Sequence, residues 1–262
     1  MRVSFDSQLR NEYNNLFTSC VIDQNKYTDV DACVNRILAN KPRYEAVATK
    51  TGVPWYFIGI VHNMEGNCNF TTHLHNGDPL TARTVQVPKG YPKEGNPPFA
   101  WEASAEDSLR LQKLDTITDW GVPTVLYELE AYNGFGYRSR GIHSPYLWSA
   151  SNQYSKGKYT ADGRFDPNAV SKQIGAAVLL RRMSERQIAV AGETDTITQI
   201  KALGEEIKFD PNNYNQQAEK LQTLLNSVGQ PLKADGKAGQ NTSDAYQRVS
   251  GHYLQGDKRR TA

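Results

Sequence analysis

Cysteine is scarce in this chain. Cys20, Cys33 and Cys68 are its only three, and no two stand as C-x-x-C. An odd, sparse set excludes a disulfide framework and a zinc ribbon. The thiols read as reduced and partly buried, with Cys20–Cys33 the pairing open to an exported chain. No apolar run approaches the roughly 20 residues that span a bilayer, so no membrane partner is expected. The opening MRVSFDSQLRNEYNN has no apolar h-region. A Sec signal peptide is therefore not expected, and delivery outside the cytoplasm would fall to a secretion apparatus or to lysis. Charge of one sign is also lacking. Thirty Lys and Arg face 28 Asp and Glu, a net +2. That is too little to argue for nucleic acid, and the one basic cluster, Lys258-Arg259-Arg260, reads as a solvated tail.

What is present describes a soluble globular chain with a core: 38% hydrophobic and 22% charged residues over 262 positions. That length holds one medium domain and one small one. Residues 1–50 read as helical, with Val30, Cys33, Val34 and Ile37 on one stripe. After Gly52-Val53-Pro54 comes WYFIGIVHNMEG, apolar nearly all round, which predicts a central buried helix stopping near Gly66. Residues 67–100 are rich in Asn, Gly, Thr and Pro. They predict a loop with a small hairpin, because Thr84-Val85-Gln86-Val87 alternates like a strand. Ser104 and Asp107 resemble a capping box opening a helix to about Ile117. Gly121-Val122-Pro123 precedes a second apolar helix, TVLYELEAYNG, ending near Gly134. A long aromatic, glycine-rich loop runs over 134–168, and 168–190 predicts another helix. The expected fold class is mainly α with a small β-hairpin. The expected domains are 1–200, a linker at 201–214, and a small helical module at 215–262; the polar stretch 191–214 around the boundary could hold a short helix.

The chemistry centres on Glu65. A carboxylate at the end of a buried helix is unusual, because most helix-terminal glutamates face solvent. Apolar surroundings and the negative end of the helix dipole both favour its neutral form. An acid kept protonated near neutral pH is what protonating a glycosidic oxygen requires. A second carboxylate has two candidates. Asp78 lies in the turn-like Asn76-Gly77-Asp78-Pro79, and Glu130 lies on the second apolar helix, where an i,i+4 surface pair is the plain alternative. Tyr132, Tyr137, Tyr146 and Trp148 can stack on sugar faces or anchor loops, and Asn133 and Arg138 can bond hydroxyls. His62, His73 and His75 read as a hydrogen-bonded cluster beside the cleft and not as a metal site, because no zinc-hydrolase spacing is present. No metal or cofactor is expected.

A buried helix ending in Glu, a polar loop with a hairpin, and then further helices resembles the lysozyme superfamily, which includes phage lysozymes and lytic transglycosylases. Ala131-Tyr132-Asn133-Gly134 is similar to the Ala-Tyr-Asn segment that lines the transglycosylase cleft. HLHNGDPLTART stands where those enzymes carry Gly-Leu-Met-Gln. The resemblance covers about residues 50–180. It implies a glycoside hydrolase cutting β-1,4 linkages of peptidoglycan, with Glu65 as general acid and Asp78 as base or electrostatic partner. Thr81 and Thr84 would hold the water. His73, His75, Glu130, Tyr132, Asn133, Tyr137, Tyr146 and Trp148 would bind substrate. Lytic transglycosylase, or chitinase or chitosanase action, is the enzymatic alternative.

Residues 215–262 carry a second resemblance. Asp235, Gly236, Gly239, Thr242 and Ala245, preceded by a Leu-rich stretch, are similar to the peptidoglycan-binding-domain-1 pattern. That implies a wall-binding module on a monomer. A non-catalytic wall-binding protein is the reading from another functional class, and a helical hairpin that merely packs is the plain one.

Overall fold

In the computed structural model, residues 2–161, 163–188 and 193–260 are described, with only the backbone of 193–199. Two compact units are present. One takes residues 2–4, 20–120 and 124–188, and the other 5–19, 121–123 and 193–260. The described residues are mainly helical, with one two-stranded antiparallel sheet. Among them no helix is long and apolar enough to cross a membrane.

The larger unit is arranged around one helix without a polar face. The first helix of this unit, α2 (Tyr27–Ala39), buries Val30, Val34 and Ile37; Cys33 stays half-buried. Helix α3 (Lys41–Thr51) ends on Gly52 at φ 72°, a left-handed turn that suits glycine. Helix α4 (Trp55–Gly66) buries every residue from Tyr56 to Met64. It needs cover on all sides. Helices α2, α3 and α8 (Ala176–Glu185) pack against it, and α5 (Trp101–Leu111) packs against α3. The second apolar helix is α6 (Val122–Asn133), followed by the short α7 (Pro145–Trp148).

Several expectations are corrected. Thr84–Val87 is not a strand. Val85 and Val87 stand 69% and 89% exposed, and the amides of Val85 and Gln86 donate to Asp78, so no ladder can use them. The hairpin lies instead in the glycine-rich loop, where β1 (Lys158–Ala161) pairs with β2 (Arg164–Asp166). Ser104 does not cap α5. Ala100 holds that position, Ser104 is buried, and the helix stops at Leu111. The helix expected over 168–190 begins at Ala176, with Val170 exposed in the loop before it, and positions 189 and 190 lie outside the described residues. Cys20 is buried beside Ser151 and Arg181, whereas Cys33 neighbours Cys68 across Asn63, so the Cys20–Cys33 pairing has no support. All three are free thiols.

The smaller unit contains α1 (Ser7–Thr18) and three C-terminal helices: α9 (Glu193–Glu206), α10 (Gln216–Ser227) and α11 (Gln240–Ser250). Asp6 caps α1 by accepting from Leu9 N at 3.0 Å. Ile200, Ile207, Leu221, Leu225, Ala245, Tyr246 and Leu254 share one core. Positions 201–214, expected as a linker, are therefore built into this unit through α9, Ile207 and an isolated bridge between Asp210 and Ala238. Glycine at 204 is required, because any Cβ there would overlap the Tyr246 ring. The basic tail is not merely solvated. Arg259 pairs with Asp257 and Asp244, and Arg260 with Glu205.

Gly59 gives α4 its close approach to α2 and α3. A Cβ there would stand 2.5 Å from Ile37 Cγ2 and 3.2 Å from the Tyr44 ring. Overpacking of this kind costs about 1–3 kcal/mol. Gly59→Ala should lower the urea midpoint by an amount corresponding to that range, with an unchanged m-value.

Candidate active site

Glu65 is the next-to-last residue of α4. Its buried neighbours fix the helix, and the helix presents the carboxyl to solvent. The turn that follows is tight. Asn67 and Cys68 both take positive φ, at 50° and 58°. Their amides return to Asn63 O at 3.1 Å and His62 O at 3.2 Å, satisfying the last carbonyls of the helix. Arg36 from α2 donates to the Asn67 side chain and secures the turn.

The Tyr146 hydroxyl, on α7, donates to Glu65 Oε1 at 2.7 Å. Gln173 Nε2 donates to Met64 O at 2.9 Å, one residue before the acid. Glu65 is thus accessible, yet protein crowds its carboxyl. Loss of hydration pushes its pKa up, and the Tyr146 hydroxyl draws it partly back. No charged side chain adds to the shift. Tyr132 completes the surroundings. Its hydroxyl is buried, with the Gln112 side chain as its polar neighbour, and lies close enough to feel the charge of Glu65. Its ring sits 6.2 Å from that of Phe57 on α4.

The other expected residues are engaged by the fold as follows. Asp78 is a loop organiser: its Oδ2 accepts from Val85 N at 2.7 Å, Gln86 N at 3.1 Å and Asn76 Nδ2 at 3.1 Å. These bonds, Gln86 first, hold its carboxyl below the ordinary aspartate value. Thr84 is equally occupied. Its hydroxyl donates to Pro88 O at 2.5 Å and accepts from Tyr91 N at 2.9 Å. Glu130 is buried against Arg138, at 2.8 Å. Tyr137 is buried and accepts from Tyr159 N of β1, Trp148 is a core residue, and Asn133 is exposed at the end of α6.

The histidines hold the loop onto the helices. His73 is fixed between Ser104 Oγ at 2.6 Å and Ala82 O at 2.8 Å, which places its proton on Nε2. His75 Nε2 donates to Asp107 at 2.8 Å. His62 is fixed between the Tyr44 hydroxyl and Asn69 O, each 3.1 Å away, and burial pushes its pKa down to about 4. Their ring nitrogens are thus committed, and no group of three His, Cys, Asp or Glu among the described residues could hold a metal ion.

The residues of the C-terminal pattern do meet. Buried Gln222 on α10 accepts from Gly236 N and donates to Asp235, Lys237 O and Thr242. Gln222 and α1 are the parts of this unit that the motif reading missed, since residues 5–19 were expected in the larger domain. The short helix that the polar stretch 191–214 left open is α9, whose Ile200 is spaced from Leu203 and Ile207 at helical intervals. Gln173 and the pairing of Tyr146 with Glu65 were also missed, and no local pattern marks either. No family model, curated protein or solved structure matches the chain.

Asp78 provides a test of the loop. Its depressed pKa means that the ionised form stabilises the fold above the ordinary aspartate value of about 3.9, and that this is lost as pH falls through the folded value. Protection of the Val85 and Gln86 amides from hydrogen exchange, taken relative to their intrinsic rates at each pH, should fall in acid. It should also fall in Asp78→Ala at neutral pH, and much less in Asp78→Asn.

Proposed function

We propose that this chain cleaves β-1,4 linkages of peptidoglycan, with Glu65 as general acid, in the manner of the lysozyme-like enzymes that its sequence resembles. The observation that carries this is the accessible Glu65 carboxyl on a helix that is otherwise buried. Its pKa is raised by crowding and its orientation set by Tyr146. An acid near neutral pH must hold its proton yet reach a substrate oxygen, and this placement supports both. The C-terminal unit would hold the wall polymer.

The fate of the sugar has a second reading. Inverting hydrolysis needs a base with its carboxyl roughly 6.5–9.5 Å from the acid. Both carboxylates suggested for that role are engaged by the fold, Asp78 by backbone amides and Glu130 by Arg138, and neither perturbs Glu65. This favours a mechanism with one carboxyl. Glu65 would give its proton to the leaving oxygen as the bond to C1 breaks. As carboxylate it would then take the proton of the sugar's own C6 hydroxyl as that oxygen closes on C1. The product is an anhydro sugar, as in lytic transglycosylases.

Purified protein is expected to clear a peptidoglycan suspension. Glu65→Gln should reduce the rate by about 10²–10⁴-fold while wall binding persists. Undiminished clearing by that variant would remove Glu65 from the mechanism. No clearing by the wild type, with binding retained, would favour a wall-binding protein without activity. Mass spectrometry separates the two fates of the sugar, since an anhydro end is lighter than a reducing end by one water. Tyr146→Phe should move the alkaline limb of the rate profile to higher pH, because the lost hydrogen bond is the one that lowers the Glu65 pKa.

A further inference from the structure

The smaller unit carries a groove of about 550 Å³, within the range of small-ligand sites. It lies beside the Asp235–Gly239 turn and the start of α11, and Gln222 fixes its floor. Gln222 is 2% exposed. Its Oε1 accepts from Gly236 N at 2.8 Å, and its Nε2 donates to Thr242 Oγ1 at 3.0 Å and to Asp235 Oδ1 and Lys237 O, both at 3.1 Å.

The ionic composition of the walls is unbalanced. Two carboxylates line the groove, and both serve the fold. Asp244 pairs with Arg259 at 2.6 Å, and Asp235 accepts from Gln222 and from Lys237 N. Three cations line it as well: Lys233, Lys237 and Arg248. Arg248 spends one donor on the neutral amide of Gln230, at 2.7 Å. Lys237 has no ion-pair partner among the described residues. Lys233 lies near enough to Asp235 to lower its pKa but makes no ion pair with it. The uncompensated charge is therefore positive. Among the described residues no aromatic side chain lines the groove, so a sugar ring has no face to stack on within it; exposed Tyr214 packs on Gly236 of the adjoining turn.

We propose that this groove binds a peptide through its carboxylates, namely the stem peptide of the wall polymer and not its glycan. The assignment rests on the wall reading above for the identity of the polymer. Its chemistry comes from the charges and from the missing aromatics. The orphan amides of Gln240 and Asn241, in the first turn of a helix whose cap, Gly239, has no side chain to offer, add donors of the same sense.

Titration of the full chain, followed by amide NMR shifts, tests this with three probes. They are a soluble stem peptide ending in D-Ala–D-Ala as the free acid, the same peptide with every carboxyl amidated, and chitotetraose. The acid should shift the Lys237 and Thr242 resonances, and the amidated peptide should bind at least tenfold more weakly. The double variant Lys237→Ala/Arg248→Ala should lose at least tenfold for the acid, with an unchanged unfolding midpoint, and Lys237→Arg/Arg248→Lys should restore most of it. Equal binding of the two peptides would overturn the proposal. So would binding of chitotetraose that disappears in the double variant. Sedimentation with insoluble peptidoglycan separates the two levels. Retention undiminished by the double variant would overturn the groove and leave the wall reading standing. Peptide binding without retention would overturn the wall reading and support the carboxylate site.

Discussion

Helix α4 has no face to give to water. Every residue from Tyr56 to Met64 is buried, so the larger unit must cover it on all sides. Helices α2, α3 and α8 provide that cover, and Gly59 sets how closely α2 and α3 approach. The consequence for chemistry is positional. A helix covered in this way has little freedom to rotate or slide, and Glu65 directly follows its last buried residue. Glu65 is presented by a rigid element and oriented by a second one through Tyr146. Preorganisation of this kind is what a general acid needs.

The segment between α4 and α5 meets the opposite requirement. It has almost no regular structure, yet its polar groups cannot be left unsatisfied where they are buried. Side chains do what a ladder would otherwise do. Asp78 gathers the amides of Val85 and Gln86, Thr84 bridges Pro88 and Tyr91, and His73 joins Ala82 to Ser104. These residue types also occur in active sites, which is why a reading from sequence placed them there. The geometry uses them up within the loop.

Legibility followed the length of the physical signal. Apolar periodicity located α2, α4 and α6, because each buries a long continuous stripe. Glu65, the one exposed carboxylate ending that buried helix, was visible for the same reason. Short-range alternation misled at Thr84–Val87, where prolines flank the segment and a carboxylate captures its amides. The actual hairpin, Lys158–Asp166, is too short and too polar to announce itself by period. The partners of Glu65 lie far along the chain, Tyr146 on α7 and Gln173 in the loop before α8, and no local pattern encodes a contact at that separation. In the smaller unit the turn motif was legible, whereas the membership of α1, far away along the chain, leaves no local signal.

The composition of the smaller unit from separated stretches has a consequence in time. Its helix α1 emerges from the ribosome well before Ile200, Leu221 and Tyr246, which form the core of the same unit. That unit cannot reach its native set of contacts until Leu254 has emerged. The α2–α8 assembly around Glu65, by contrast, has all of its helices once residue 185 is out. Vectorial synthesis thus gives the two units different schedules, and a ribosome stalled between these two points would carry the Glu65-bearing helix with its cover in place and α1 still waiting for its partners.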